Sequence, residues 1–297
     1  MDYATLLSSL KRTFINQDDF MFDKHTPDFQ QDGKFLGDYF SQLAVEPRGT
    51  RAPRFYHTFS PFDVISNKAP HRAVVFDDGE LILDIDFDSY VAMRSAAMNA
   101  VVLQGLGIDS LADKHVLLFG GGHLATQALK ILASQLGLTA VDVITKSGDL
   151  TRIKKATEDI DLEISSGSIE DIAKYDVIIC HTQAAASIIT SEHIDKVKQG
   201  AVITTFITST EHGEVADAAF DSKNANIITD WDKTILGAKE MQRAQDLGLF
   251  KPQDIVSVKE LLQDPVRIDK DKHYTIYRST GTPIQNLAVL RELVAKD

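Results

Sequence analysis

One segment constrains this chain more than any other: Val116-Leu-Leu-Phe-Gly120-Gly-Gly122-His123-Leu124-Ala125-Thr-Gln-Ala-Leu, in which an apolar run passes through G-x-G-x-x-A into a helical pattern. A short apolar run bounded by glycine reads as a strand buried on both faces. The first glycine permits the tight turn, and the second lets backbone approach a pyrophosphate. Ala125 allows close helix–strand packing while the helix N-terminus faces the anion. The segment therefore predicts a dinucleotide site built from Gly120, Gly122, His123, Leu124 and Ala125, against the plainer reading of a structural turn.

Further short apolar runs at 141–145, 177–180, 201–204 and 225–229 alternate with helical stretches. That alternation is the mark of a parallel sheet covered on both faces. The expected fold class is α/β, with a Rossmann-like doubly wound parallel sheet. The second strand ends in Thr145-Lys146-Ser147, where an acid would bind the adenosine ribose and a cation would favour a 2′-phosphate. Asp142 lies too early in the strand to serve. With no acid at the tip and Lys146 available, NADP(H) is favoured and NAD(H) stays possible.

At 297 residues the chain has room for two domains. Before the sheet, a helix over 3–14 leads into a stretch to about 68 with little period, punctuated by Pro27, Gly33, Pro47, Gly49 and Pro53. Strands at 72–76 and 80–85 flank Asp77-Asp78-Gly79, a strong hairpin signal. A helix follows over 89–106, with Ser89 as its cap and Val91, Met98, Val101 and Val102 at helical spacing. Near the end, 272–277 reads as a strand and 283–295 as a closing helix.

Composition excludes several classes. The 43 acidic residues outnumber 31 basic ones for a net charge of −12, with no Lys/Arg block, which argues against nucleic-acid partners. No stretch approaches the ~20 apolar residues that span a bilayer. Asp2 without a basic lead into an apolar run does not read as a signal peptide. The one cysteine, Cys180, sits in an apolar run and fits a reduced, cytoplasmic setting. No Cys/His cluster or H-x-x-x-H predicts a metal, and no G-x-S-x-G predicts a serine hydrolase.

Four segments, in order, resemble the ornithine cyclodeaminase and mu-crystallin family. Arg94-Ser-Ala-Ala-Met-Asn-Ala is similar to its R-T-A-A-x-x-A helix, after the D-G-E turn. The glycine loop follows. Asp176-Val-Ile-Ile-Cys-His-Thr182 resembles its D-I-I-x-x-x-T strand, and Thr275-Ile-Tyr-Arg-Ser279-Thr-Gly281-Thr-Pro-Ile-Gln285-Asn286 resembles its T-V-F-K-S-x-G-x-A-x-Q-D ending. The resemblance implies a homodimer and a dinucleotide-binding domain over 106–274. It also implies an α+β substrate and dimerisation domain from 1–105 with 275–297. Cofactor contacts are implied at Thr182, Ser279 and Gly281, and a small carboxylate-bearing substrate is implied on Arg94, whose guanidinium offers a bidentate fork.

The chain departs from the family pattern in places. Its substrate-contacting lysine falls on Arg54, which binds anions but is a poor proton shuttle. The early strand arginine has Arg48 or Arg51 as its nearest substitutes. Ser209 stands near the aspartate of the cyclising branch, and Asn286 replaces the terminal aspartate. Histidines near the expected site, His57, His181 and His212, are the alternative proton carriers. The chemistry so implied is NAD(P)(H)-dependent reduction of a small imino or keto acid, of ketimine reductase or opine dehydrogenase type. The alternatives are redox-neutral deamination and a non-enzymatic NADP(H) or ligand carrier.

Overall fold

A computed structural model describes residues 1–25, 28–31, 34–63, 70–182, 186–206, 213–231 and 238–295. It divides into two compact units, Met1–Ser95 with Thr282–Asp297, and Ala96–Gly281.

In the first unit, helix α1 (Tyr3–Ile15) is capped by Asp2, whose carboxylate accepts from the Thr5 amide at 2.8 Å. It buries Leu6, Leu7, Leu10 and Phe14, and Ser9 donates to the Ala288 carbonyl on the C-terminal helix Pro283–Val294. The strands are β1 (Met21–His25), β2 (Asp28–Gln31), β3 (Lys34–Arg48), β4 (Arg51–Asp63), β5 (Arg72–Asp77) and β6 (Glu80–Asp86). They form an antiparallel sheet in the order β1-β3-β4-β5-β6, with β2 also on β3. The β5–β6 turn has φ of 49° at Asp78 and 82° at Gly79. Positive φ at both centres is the primed turn that matches strand twist.

The stretch that reads as irregular in sequence contains the two longest strands, β3 and β4. Their buried face is Gln42, Ala44, Tyr56, Thr58 and Ser60, while Leu43, Phe55, His57 and Phe59 lie on the other. A half-polar buried face erases the apolar alternation by which strands are recognised. Pro47 falls at the register shift between Glu46 and Arg48, where a missing amide hydrogen breaks no ladder bond.

Helix α2 (Asp88–Gly105) starts one residue earlier than the sequence suggests. The Phe87 carbonyl accepts from the amides of Tyr90 and Val91, so Ser89 lies inside the first turn and is not the cap. Residues 94–103 are buried without interruption, so a single apolar stripe does not describe it.

The second unit holds strands β7 (Val116–Phe119), β8 (Ala140–Ile144), β9 (Glu163–Ser166), β10 (Val177–Cys180), β11 (Ala201–Thr205), β12 (Ala225–Thr229), β13 (Ile255–Ser257) and β14 (Tyr274–Arg278). Its helices include α3 (His123–Leu136), α4 (Thr151–Ala156), α5 (Ser191–Ile194), α6 (Lys239–Asp246) and α7 (Val258–Gln263). The parallel eight-stranded order is β13-β12-β14-β11-β10-β7-β8-β9. β8 and β9 run outward from β7 in one direction, and β10, β11, β12 and β13 run in the other with β14 inserted between β11 and β12, so β7 and β10 form the topological switch point. β14 is buried at every residue and hydrogen-bonded on both sides, and the unit that contains it extends to Gly281. β9 and β13 carry too few buried apolar residues to stand out in sequence. Cys180 is fully buried among Phe119, Ile178 and Ile203, and burial pushes its thiol pKa up. No helix among the described residues is long and apolar enough to cross a membrane.

Candidate functional site

Gly120 has φ +117°, and a Cβ there would lie 2.1 Å from the His181 carbonyl oxygen. Only glycine fits this position. Gly122 precedes the first turn of α3; no side chain caps the helix, and a Cβ on Gly122 would meet nothing within 4 Å. The first-turn amides of His123, Leu124 and Ala125 thus border open space, where helix N-termini receive anions. An uncapped helix end beside a cradle that a larger side chain would fill fits a dinucleotide pyrophosphate. At the tip of β8, Thr145 donates to the Asp149 carbonyl at 3.2 Å and Lys146 is exposed. Asp142 is occupied elsewhere, accepting from Tyr175 at 2.8 Å and pairing with Lys174 at 3.0 Å.

The residues that follow the other strands cluster at the same carboxyl edge, where doubly wound sheets bind ligands. Thr182 donates through its amide (2.6 Å) and hydroxyl (2.9 Å) to Glu214, which also accepts from the Thr205 hydroxyl (2.7 Å) and the Phe206 amide (3.0 Å). Glu214 is wholly buried, and four donors satisfy its two oxygens. It fixes Thr182 to the end of β11. Ser279 donates to buried Asp230 and accepts from the Gly281 amide at 3.1 Å, while Arg278 and Glu240 form a buried ion pair. His181, also buried, has its pKa pushed down to about 3 by desolvation, with the Cys180 carbonyl pulling the other way. Burial thus favours the neutral ring. Glu214, Asp230 and Glu240 escaped sequence reading because single acids beside glycine, tryptophan or lysine carry no period or motif.

The first unit supplies a second constellation. Arg94, 4% exposed, donates through Nε to Asn286 at 3.0 Å and through Nη1 to Gln285 at 2.5 Å and Ser95 at 2.6 Å. Asn286 in turn donates to Gln42 at 2.5 Å and Thr58 at 2.7 Å. These three acceptors are neutral, two side-chain amides and a hydroxyl, and they orient the guanidinium. Asn286 stands where the family pattern has aspartate, and its amide both accepts from Arg94 and donates to Gln42 and Thr58, which a carboxylate could meet only as an acceptor.

Arg54 and His57 each have a partner of their own. Arg54 is ion-paired with Asp77, which also meets Arg48, and this holds its pKa above the usual arginine value. It stands four residues, about 13 Å, along the strand from Thr58. Its guanidinium is thus engaged with Asp77. His57 hydrogen-bonds Ser41 at 2.8 Å, and burial lowers its pKa. Alternation puts it on the opposite face of β4 from Arg54 and Thr58. Ser209 and His212 lie outside the described residues. Among the described residues, no three His, Cys, Asp or Glu side chains are grouped to hold a metal ion.

No protein-family model matches the sequence, and no curated protein does. Solved structures do match over the whole chain. A probable ornithine cyclodeaminase from Bordetella pertussis Tohama I superposes with a TM-score of 0.82 at 18% identity, over 100% of this chain and 94% of that one. The iminosuccinate reductase of Paracoccus denitrificans, in complex with NAD+, gives 0.82 at 19%, over 100% and 92%. The Thermococcus litoralis Δ1-pyrroline-2-carboxylate reductase, in complex with NADH and L-proline, gives 0.80 at 14%, over 100% and 93%. The chain has the fold of the ornithine cyclodeaminase and mu-crystallin family.

Proposed function

We propose that this chain, built on that fold, is a nicotinamide-dependent oxidoreductase that reduces the C=N or C=O carbon of a small imino or keto acid. Arg94 carries the reading: a buried guanidinium held by neutral amides is built to bind a carboxylate. Gly120, Gly122 and the first turn of α3 would hold the pyrophosphate, with Thr182, Ser279 and Gly281 at the strand ends. The absence of an acid at Thr145-Lys146 favours NADP(H). The reduced dinucleotide supplies a hydride when bound. Arg94 fixes the substrate carboxylate, and such positioning accounts for much of the rate in reactions of this type.

Proton supply favours the imine. A carbonyl must gain a proton as it is reduced. A protonated imine already carries its proton: hydride reaches carbon, the π pair returns to nitrogen and a neutral amine results. Arg54 stays charged, His57 faces away and His181 stays neutral, which suits a substrate that asks for no proton.

The test is NADPH absorbance on adding cyclic imino acids, then α-keto acids with and without amines. Consumption with an imino acid is expected. Ammonia release with no net absorbance change would establish redox-neutral deamination, and NADPH binding with a flat signal throughout would establish a carrier.

We also infer that the first unit serves substrate binding and homodimerisation. Phe55, Phe76 and Leu81 are register neighbours on one face, and each leaves 38% or more of its surface exposed. A light-scattering mass of twice the chain mass is expected, and a monomer at micromolar concentration would refute it.

A further inference from the structure

The hydrogen bonds around Asn99 determine which nitrogen of His181 carries its proton. Asn99 Nδ2 donates to the Ala96 carbonyl at 2.9 Å, and a carbonyl can only accept, so this atom is the amide nitrogen. Its oxygen accepts from the Thr204 hydroxyl at 2.7 Å. The second amide hydrogen therefore faces His181 Nε2 at 3.0 Å, and Nε2 must be the bare nitrogen. Nδ1 then bears the hydrogen. That N–H is buried and makes no well-formed hydrogen bond, the Cys180 carbonyl beside the ring lying outside hydrogen-bonding geometry, while the ring rests edge-on against Phe206 with centroids 4.8 Å apart. An unsatisfied buried donor is costly and calls for an acceptor that the protein itself does not supply.

The position of His181 narrows the ligand. It directly follows β10, the strand beside β7 at the switch point, and its carbonyl oxygen fills the space that a Gly120 side chain would need. With the pyrophosphate on α3, beyond β7, the half of a dinucleotide that crosses toward β10 and β11 carries the nicotinamide riboside. Its acceptors are ribose hydroxyls and the carboxamide oxygen, all neutral. A neutral donor also suits both redox states, because an imidazolium at that point would oppose the positive charge of the oxidised ring.

We propose that the Nδ1–H of His181 is a preset, uncharged hydrogen-bond donor to an oxygen of the nicotinamide riboside. This rests on the dinucleotide reading above. The test uses the full chain with 15N-labelled histidine, His181 being assigned by the resonance lost in His181→Asn, and dinucleotide binding followed in parallel by nicotinamide fluorescence. At pH 7 the Nδ1–H tautomer is expected, with an Nδ1 shift on adding NADPH. His181→Phe should weaken dinucleotide binding about fivefold to tenfold, the worth of one buried neutral hydrogen bond. His181→Asn, whose amide places N–H where Nδ1 was, should recover most of it. Tight NADPH binding with Nδ1 unmoved, or a shift caused by pyrroline-2-carboxylate and not by NADPH, would overturn the role of His181 and leave the dinucleotide site standing. Failure of NADPH and NADH to bind at all would overturn both.

Discussion

Gly120→Ala is expected to disable the second unit at the level of folding, lowering its stability by more than about 3 kcal/mol. Two costs add. A backbone with φ +117° is one that side-chain-bearing residues rarely adopt, and the new Cβ would stand 2.1 Å from the His181 carbonyl oxygen. That oxygen belongs to main chain between β10 and Thr182, so it cannot turn aside as a long side chain would. Gly122→Ala is the informative contrast. Its Cβ meets nothing within 4 Å, and the φ of −86° suits any residue, so the fold should persist with a loss of at most about 1 kcal/mol at the helix cap. What it should lose is dinucleotide affinity, because the methyl group enters the space proposed for the pyrophosphate. Thermal unfolding and nicotinamide fluorescence on the two variants separate the effects. A folded Gly120→Ala protein with normal NADPH binding would refute the loop geometry, and undiminished binding by Gly122→Ala would move the pyrophosphate elsewhere.

Arg94→Met should raise KM for the carboxylate substrate by about 100-fold or more, from the loss of charge-assisted hydrogen bonds worth roughly 1.5–3 kcal/mol each. The dissociation constant for NADPH should stay near that of the parent protein. Stability will fall as well, because Gln285, Asn286 and Ser95 lose their common partner. Arg94→Lys separates the two roles: it restores the charge but not the planar fork, so KM should improve only in part. An unchanged KM in Arg94→Met with activity intact would remove Arg94 from the substrate site.

The differences between sequence pattern and structure follow one logic. β7, β10 and β11 are apolar runs because both faces of a parallel sheet are covered, and that pattern is local. The Asp78-Gly79 turn and the glycine loop are local too, since each demands a backbone conformation that glycine adopts freely. β3 and β4 break the pattern because Gln42, Thr58 and Ser60 occupy their buried face. Where His57 lies relative to Arg54 could not be read while the residues between them were not known to be extended. Once they form a strand, an odd spacing of three puts the two on opposite faces.

The chain's own sequence thus determined the parallel sheet, its switch-point glycine loop, the hairpin and the position of Arg94 on its helix, all of which depend on neighbours within a turn or a strand. Tertiary structure alone decided the polar assignments. Asn286 acts as a donor through Gln42, 244 residues away, and holds Arg94 across 192. Glu214 gathers Thr182 and Phe206, and Asn99 sets the tautomer of His181. The physical reason is that a buried polar group must be satisfied wherever its partner happens to lie, whereas apolar burial needs only the right side of an element, which periodicity records.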